Sequence, residues 1–155
     1  MPKIDIAKAP RGKGCGYPAP YDEPCREREW IELGVSAGLT QFGVRLVTLP
    51  AGAWSSQRHW HMLEDEFVYM LSGEAVLVTD GREDVMHPGD CAGFKAGDRN
   101  GHCLQNRSNA PVTFLVTGSR DDKDWGEYSD VDMMFHPGRY SGTAKRNSRK
   151  NGDPI

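Results

Sequence analysis

The sequence predicts an all-β domain, an antiparallel sandwich or barrel, on three observations. Short runs of β-branched and aromatic residues recur roughly every ten residues, the spacing of strands in such folds. Clusters of Gly, Pro, Asp and Ser stand between them as turns. Gly 18 and Pro 10 in 155 residues interrupt the chain too often for long helices. Strands do not alternate with helical patterns, which excludes a parallel α/β sheet. No internal repeat at a solenoid period is found.

The elements follow in order. Residues 1–28 are rich in Pro, Gly and charge and read as an arm without a core of its own. Residues 29–140 hold the strand-like runs: Trp30–Leu33, Phe42–Leu49, Glu66–Leu71, Glu74–Thr79, Gly101–Gln105 and Val112–Thr117. Turns are expected at Pro50-Ala51-Gly52, Ser72-Gly73, Asp80-Gly81, Pro88-Gly89-Asp90 and Ala96-Gly97-Asp98. Residues 141–155 carry Lys145, Arg146, Arg149 and Lys150 with no apolar residue between them, and are expected to be a flexible basic tail.

Composition narrows the function classes. Lys+Arg 19 against Asp+Glu 22 gives a net charge of −3, which argues against nucleic-acid binding, since phosphate affinity rests on clustered cations. No apolar run approaches the ~18 residues of a membrane span. Met1–Asp5 lacks the apolar core of a secretory signal, and the four Cys (15, 25, 91, 103) form no CxxC pair. The expectation is free thiols in a reducing cytoplasm. Gly34-Val35-Ser36-Ala37-Gly38 fits a nucleophile elbow in letters only, because that motif needs a strand–turn–helix in an α/β sheet.

The chemistry gathers around His59-Trp60-His61. On a strand, residues i and i+2 share a face, so the two imidazoles project together while Trp60 points away. Glu66 opens the next strand and can face the same way. Glu64 is a competing carboxylate, three residues from His61. His102 stands in a later strand-like run and must be brought in by the fold. Imidazoles and a carboxylate suit a divalent transition metal. His87 and His136 lie beside prolines in turns and are expected to be exposed.

The spacing resembles a known family. Gly52, six residues, His59-x-His61, four residues, Glu66, six residues and Gly73 is similar to the first motif of the cupin superfamily. Pro88-Gly89-Asp90, then Gly97, four residues, His102, three residues and Asn106 is similar to its second. The first Gly is one position further from His59 than in the strictest form of the motif, which touches only the turn before the strand. The resemblance implies a double-stranded β-helix (jelly-roll) barrel with a metal held inside by His59, His61, Glu66 and His102. It also implies that Asn106 is structural rather than a ligand.

Four protein ligands leave open positions on six-coordinate Fe, Mn or Ni, or on a Zn that expands its shell. Strand parity puts Gln57 on the face of His59 and His61, and Arg45 on the face of Val47 and Leu49. Both are expected to orient a small-molecule ligand, with Val68, Met70 and Leu104 as apolar wall. The leading expectation is a metal-dependent enzyme of isomerase, dioxygenase or lyase type acting on a small oxygenated metabolite, a sugar derivative or carboxylate. A non-catalytic binding module is the alternative, and a storage or scaffold role the least favoured reading. Unpaired sheet edges and the apolar Tyr17, Tyr21, Trp30 and Ile31 lead to the expectation of a homodimer in which the arm or the Trp30–Leu33 strand crosses to a partner.

Overall fold

The computed structural model describes residues 3–142 and 147–155. Its strands are β1 (Arg11–Lys13), β2 (Glu29–Glu32), β3 (Phe42–Leu49), β4 (Glu66–Ser72), β5 (Ala75–Thr79) and β6 (Arg82–Met86), followed by β7 (Cys91–Phe94), β8 (Cys103–Gln105), β9 (Val112–Ser119), β10 (Gly126–Glu127), β11 (Met134–Phe135) and β12 (Asn147–Ser148). The larger sheet runs β1-β2-β3-β9-β4-β7, and a smaller one, β6-β5-β8, faces it. Neighbouring strands in both sheets pair antiparallel. This is the double-stranded β-helix expected from the sequence.

Period-2 alternation builds the core. Val47 and Leu49 of β3, Val112 and Phe114 of β9, and Val68 and Met70 of β4 all point inward and are buried. Ala75 and Leu77 of β5, Met86 of β6 and Leu104 of β8 meet them from the facing sheet. Cross-strand register stacks these side chains in rows: Leu49 opposite Val112, and Val47 opposite Phe114, which in turn faces Met70. At the other end of the same strands the row is Gly43, Gly118, Glu66 and Phe94. Two of those four positions carry no side chain, so this end of the barrel stays open. At the β4–β5 turn Gly73 has φ +76° and a Cβ there would lie 2.6 Å from the Pro111 carbonyl oxygen, which leaves glycine as the residue that fits.

Both ends of the chain pack on the barrel. The arm is folded onto its own barrel. β1 pairs with β2, the Glu32 amide donates to the Pro10 carbonyl, and the Trp54 amide donates to the Pro24 carbonyl. Tyr17 and Tyr21 pack against Tyr128, Met133 and Phe135, with the Tyr17 and Tyr128 rings edge to face at 5.2 Å. Within one chain these two rings are thus partly covered by the barrel. The tail is also docked, not loose: Asn147–Ser148 pairs with β11, and buried Ser148 bonds the His136 imidazole at 2.8 Å. Strand pairing through the backbone needs no apolar side chain, so the charged composition concealed it. Lys145 and Arg146 lie outside the described residues. Gly34–Gly38 forms a single helical turn, α1 (Leu33–Ser36), and its end, as a turn reading requires. Among the described residues no helix is long and apolar enough to cross a membrane, and all four cysteines are free.

Candidate metal centre

His59 enters the site through backbone pairing. An isolated bridge joins it to His102, each amide donating to the other's carbonyl at 3.2 and 2.9 Å. That bridge extends the smaller sheet and sets the two imidazoles with ring centres 5.0 Å apart. His61 follows with its ring 5.1 Å from that of His59, while Trp60 turns the other way and packs on Trp125. Glu66 arrives from the opposite sheet as the first residue of β4. Ligand atoms of His59, His61 and Glu66 lie within 4.8 Å of one another. His102 Nε2 is 2.8 Å from Glu66 Oε2, and its ring stacks flat on Phe94 at 3.5 Å.

Each imidazole is held differently. His59 Nδ1 donates to the Gln57 carbonyl at 2.9 Å, which leaves Nε2 facing the cluster. His61 Nδ1 contacts Asp124 Oδ2 at 2.7 Å, again freeing Nε2. Asp124 itself is fully buried and accepts from the Leu63 amide and from Arg139. Burial works against its charge, but these bonds outweigh it and hold its carboxyl below the usual range. His102 Nδ1 is buried with no partner among the described residues. Burial, and then the neighbouring His102 and His61, press the His59 pKa from 6.5 down to about 3, so its imidazole is neutral. For Glu66, burial raises the carboxyl, yet the bond from His102 and the surrounding histidines pull it well below the usual range.

These donors fit a divalent ion. Bonds of about 2.1 Å put donors at right angles about 3 Å apart and opposed donors about 4.2 Å apart. The Glu66 oxygen is 2.8 Å from His102 Nε2 and 4.0 Å from His59 Nε2. A proton now joins Glu66 and His102 at the atoms a metal would join. Glu64 does not compete for that place. It is saturated by Arg139 at 2.6 Å, the Tyr140 hydroxyl at 2.9 Å and the Asp121 amide at 2.8 Å. The cluster sits on the wall of a cavity of about 960 Å³.

Comparison with known proteins agrees with this geometry. The family model described as Cupin domain matches residues 45–118. The structure of a sugar phosphate isomerase from a cupin superfamily, from Silicibacter pomeroyi, is 45% identical, covering 99% of this chain and 96% of that one, with a TM-score of 0.93. This chain belongs to the cupin superfamily. A candidate sugar phosphate isomerase from Acidithiobacillus ferrooxidans is 26% identical over 83% of this cupin and 80% of its own chain, at a TM-score of 0.74. A predicted oxalate decarboxylase from Thermotoga maritima, at 22% identity, 76% and 97% coverage and a TM-score of 0.58, shares the fold. No curated protein matches the sequence.

Within this cupin, the four predicted histidine and glutamate positions converge, and the two predicted ligand-orienting residues fare differently. Gln57 is buried, but its amide donates to the Tyr21 carbonyl at 2.7 Å and it does not line the cavity. Residues 55–58 are bends rather than strand, so the alternation that linked Gln57 to His59 does not operate. Gln57 ties down the arm instead. Arg45 stands on the cavity wall as its parity predicts, ion-paired to Glu32 at 2.7 Å. Asn106 is buried and donates to the Leu49 and Ala110 carbonyls, a structural part. His87 is exposed, whereas His136 is half-buried through Ser148. Asp124, Arg139 and Tyr140 went unrecognised in the sequence. They reach the site from outside both motifs, and no local spacing marks them.

Proposed function

We propose that this protein is a metal-dependent isomerase of a small sugar phosphate. The observation that carries the reading is the convergence of His59, His61, Glu66 and His102, with His59 neutral and Glu66 ionised, on the wall of a cavity large enough for a small metabolite. Support for the reaction type comes from the relative described as a sugar phosphate isomerase and from the second, described as a candidate one. In this reading His59, His61, Glu66 and His102 hold Fe, Mn, Ni or Zn. The bound ion supplies Lewis acidity toward a carbonyl or hydroxyl oxygen of the substrate. Asp124 and the Gln57 carbonyl keep the His61 and His59 rings turned so that Nε2 faces inward. Phe114, Val68 and Val116 give the lower cavity wall an apolar surface that water leaves readily. Free thiols support a cytoplasmic location.

The test is a panel of aldose and ketose phosphates incubated with metal-loaded protein in deuterated water under anaerobic conditions and followed by NMR. The expected result is interconversion of one aldose–ketose pair with deuterium at the carbon that gains hydrogen, and no need for oxygen. Tight binding of a sugar phosphate without turnover would establish the non-catalytic alternative, and turnover only in air would place the protein among the dioxygenases.

A further inference from the structure

We infer that Arg120 is the seat for the substrate's anionic group, its phosphate, at the mouth of the cavity; the inference rests on the sugar phosphate reading above. Among the described residues five cationic side chains line this cavity: Lys13, Arg28, Arg45, Arg120 and Arg139. Four are committed. Lys13 pairs with Glu27 at 2.6 Å, Arg45 with Glu32, and Arg139 with both Glu64 and Asp124. Arg28 bonds the Gly14 and Ser55 carbonyls and lies over the Trp30 ring. Arg120 differs. Like Arg28 it has no carboxylate within 4.0 Å among the described residues, but where Arg28 is held by two carbonyls, the Arg120 guanidinium makes a single bond among the described residues, at 3.4 Å, to the Leu39 carbonyl.

Its position is built. The Arg120 amide donates to the Gln41 carbonyl at 3.0 Å, fixing the residue just beyond β9. The guanidinium lies over the Tyr140 ring at 5.4 Å, and Tyr140 is itself held by Glu64. Below the guanidinium is Gly43, where a Cβ would stand 3.4 Å from Nη2. The guanidinium thus lies in contact with the bare backbone of the mouth row. A guanidinium has five N–H donors in a fixed fork suited to phosphate or carboxylate oxygens, and among the described residues most of these donors have no acceptor. Gly43 shares the mouth row with Gly118 and Glu66. Glu66 and Gly43 are thus two inter-strand spacings apart, roughly 10 Å. A ligand with an oxygenated head at the histidine–glutamate cluster and an anionic tail spans that row, over two glycines that leave it room.

The experiment is calorimetric titration of the metal-loaded protein with ribose 5-phosphate, ribose and inorganic phosphate, for wild type, Arg120→Gln and Arg120→Lys, with metal content and melting temperature measured alongside. Arg120→Gln is expected to weaken ribose 5-phosphate binding about tenfold or more. Ribose binding, metal content and melting temperature stay at wild-type values, and Arg120→Lys recovers part of the loss because the charge remains. Equal affinity of wild type and Arg120→Gln for ribose 5-phosphate and inorganic phosphate would overturn the assignment, as would a wild-type protein that binds neither. Arg120-dependent phosphate binding without interconversion of any sugar phosphate would uphold the seat and reject the isomerase reading. Interconversion with a KM indifferent to Arg120→Gln would do the reverse.

Discussion

At the floor of the barrel, β3, β9 and β4 close their rows with Leu49, Val112, Val47, Phe114 and Met70, four of them with no exposed surface. At the mouth, the same three strands present Gly43, Gly118 and Glu66, and polar groups gather there from segments distant in sequence. The strand geometry is common to both ends, so the difference lies in side chains. Filled rows supply stability through burial, and emptied rows leave a cavity whose polar groups need outside support. Asp124 behind His61 and the Gln57 carbonyl behind His59 are that support.

The contrast can be broken from either end. The largest effect is expected at the floor. Phe114→Ala removes a fully buried ring and should cost about 3–5 kcal/mol in a denaturant titration, by lost burial and the cavity left behind. Asp124→Asn acts at the mouth. It keeps the shape of the side chain but removes the carboxylate that orients His61, so metal affinity should fall roughly 10–100-fold by competition with a chelator. A decrease in melting temperature with unchanged metal affinity would instead make Asp124 a purely structural residue. Gln57→Ala should cost about 1–3 kcal/mol of stability, because the Tyr21 carbonyl loses its buried donor. It should leave ligand affinity intact, the reverse of a role in the cavity.

Acid gives a smaller and graded effect on the metal-free protein. The folded state holds His59 near a pKa of about 3 against 6.5 for the free group, so the unfolded chain binds the extra proton first. The His59 contribution to stability should be constant above about pH 6.5 and decline as pH falls below it. Glu66, held low in the fold, adds to the same loss at still lower pH. A flat stability profile from pH 7 to pH 5 would contradict the neutral burial of His59.

Much of the barrel was legible because its core strands alternate cleanly. Phe42–Leu49 emerged residue for residue, and Glu66–Leu71 and Val112–Thr117 fell short by one and two residues. β6 escaped notice since Arg82, Glu83 and Asp84 are three charged residues in a row with no apolar alternation, and of its residues Met86 alone is buried. The short strands β10 to β12 carry too little pattern to detect. His59, His61, Glu66 and His102 were legible from spacing, because two sit at i and i+2 and all four fall in two motifs. Arg120 and Asp124 were not. Their roles depend on which neighbours lack or supply charge, and that is decided by segments folded in from elsewhere in the chain. Gln57 misled because alternation was applied to residues that bend.

The most direct test of the central claim is metal content after purification without a His tag, measured by mass spectrometry on wild type, His61→Ala, Glu66→Ala and His87→Ala. The account predicts about one divalent transition ion per chain in wild type and His87→Ala, and a sharp loss in the other two, since each removes one of four donors and leaves a poorly filled site. Full metal content in both His61→Ala and Glu66→Ala, with the proteins folded, would contradict it.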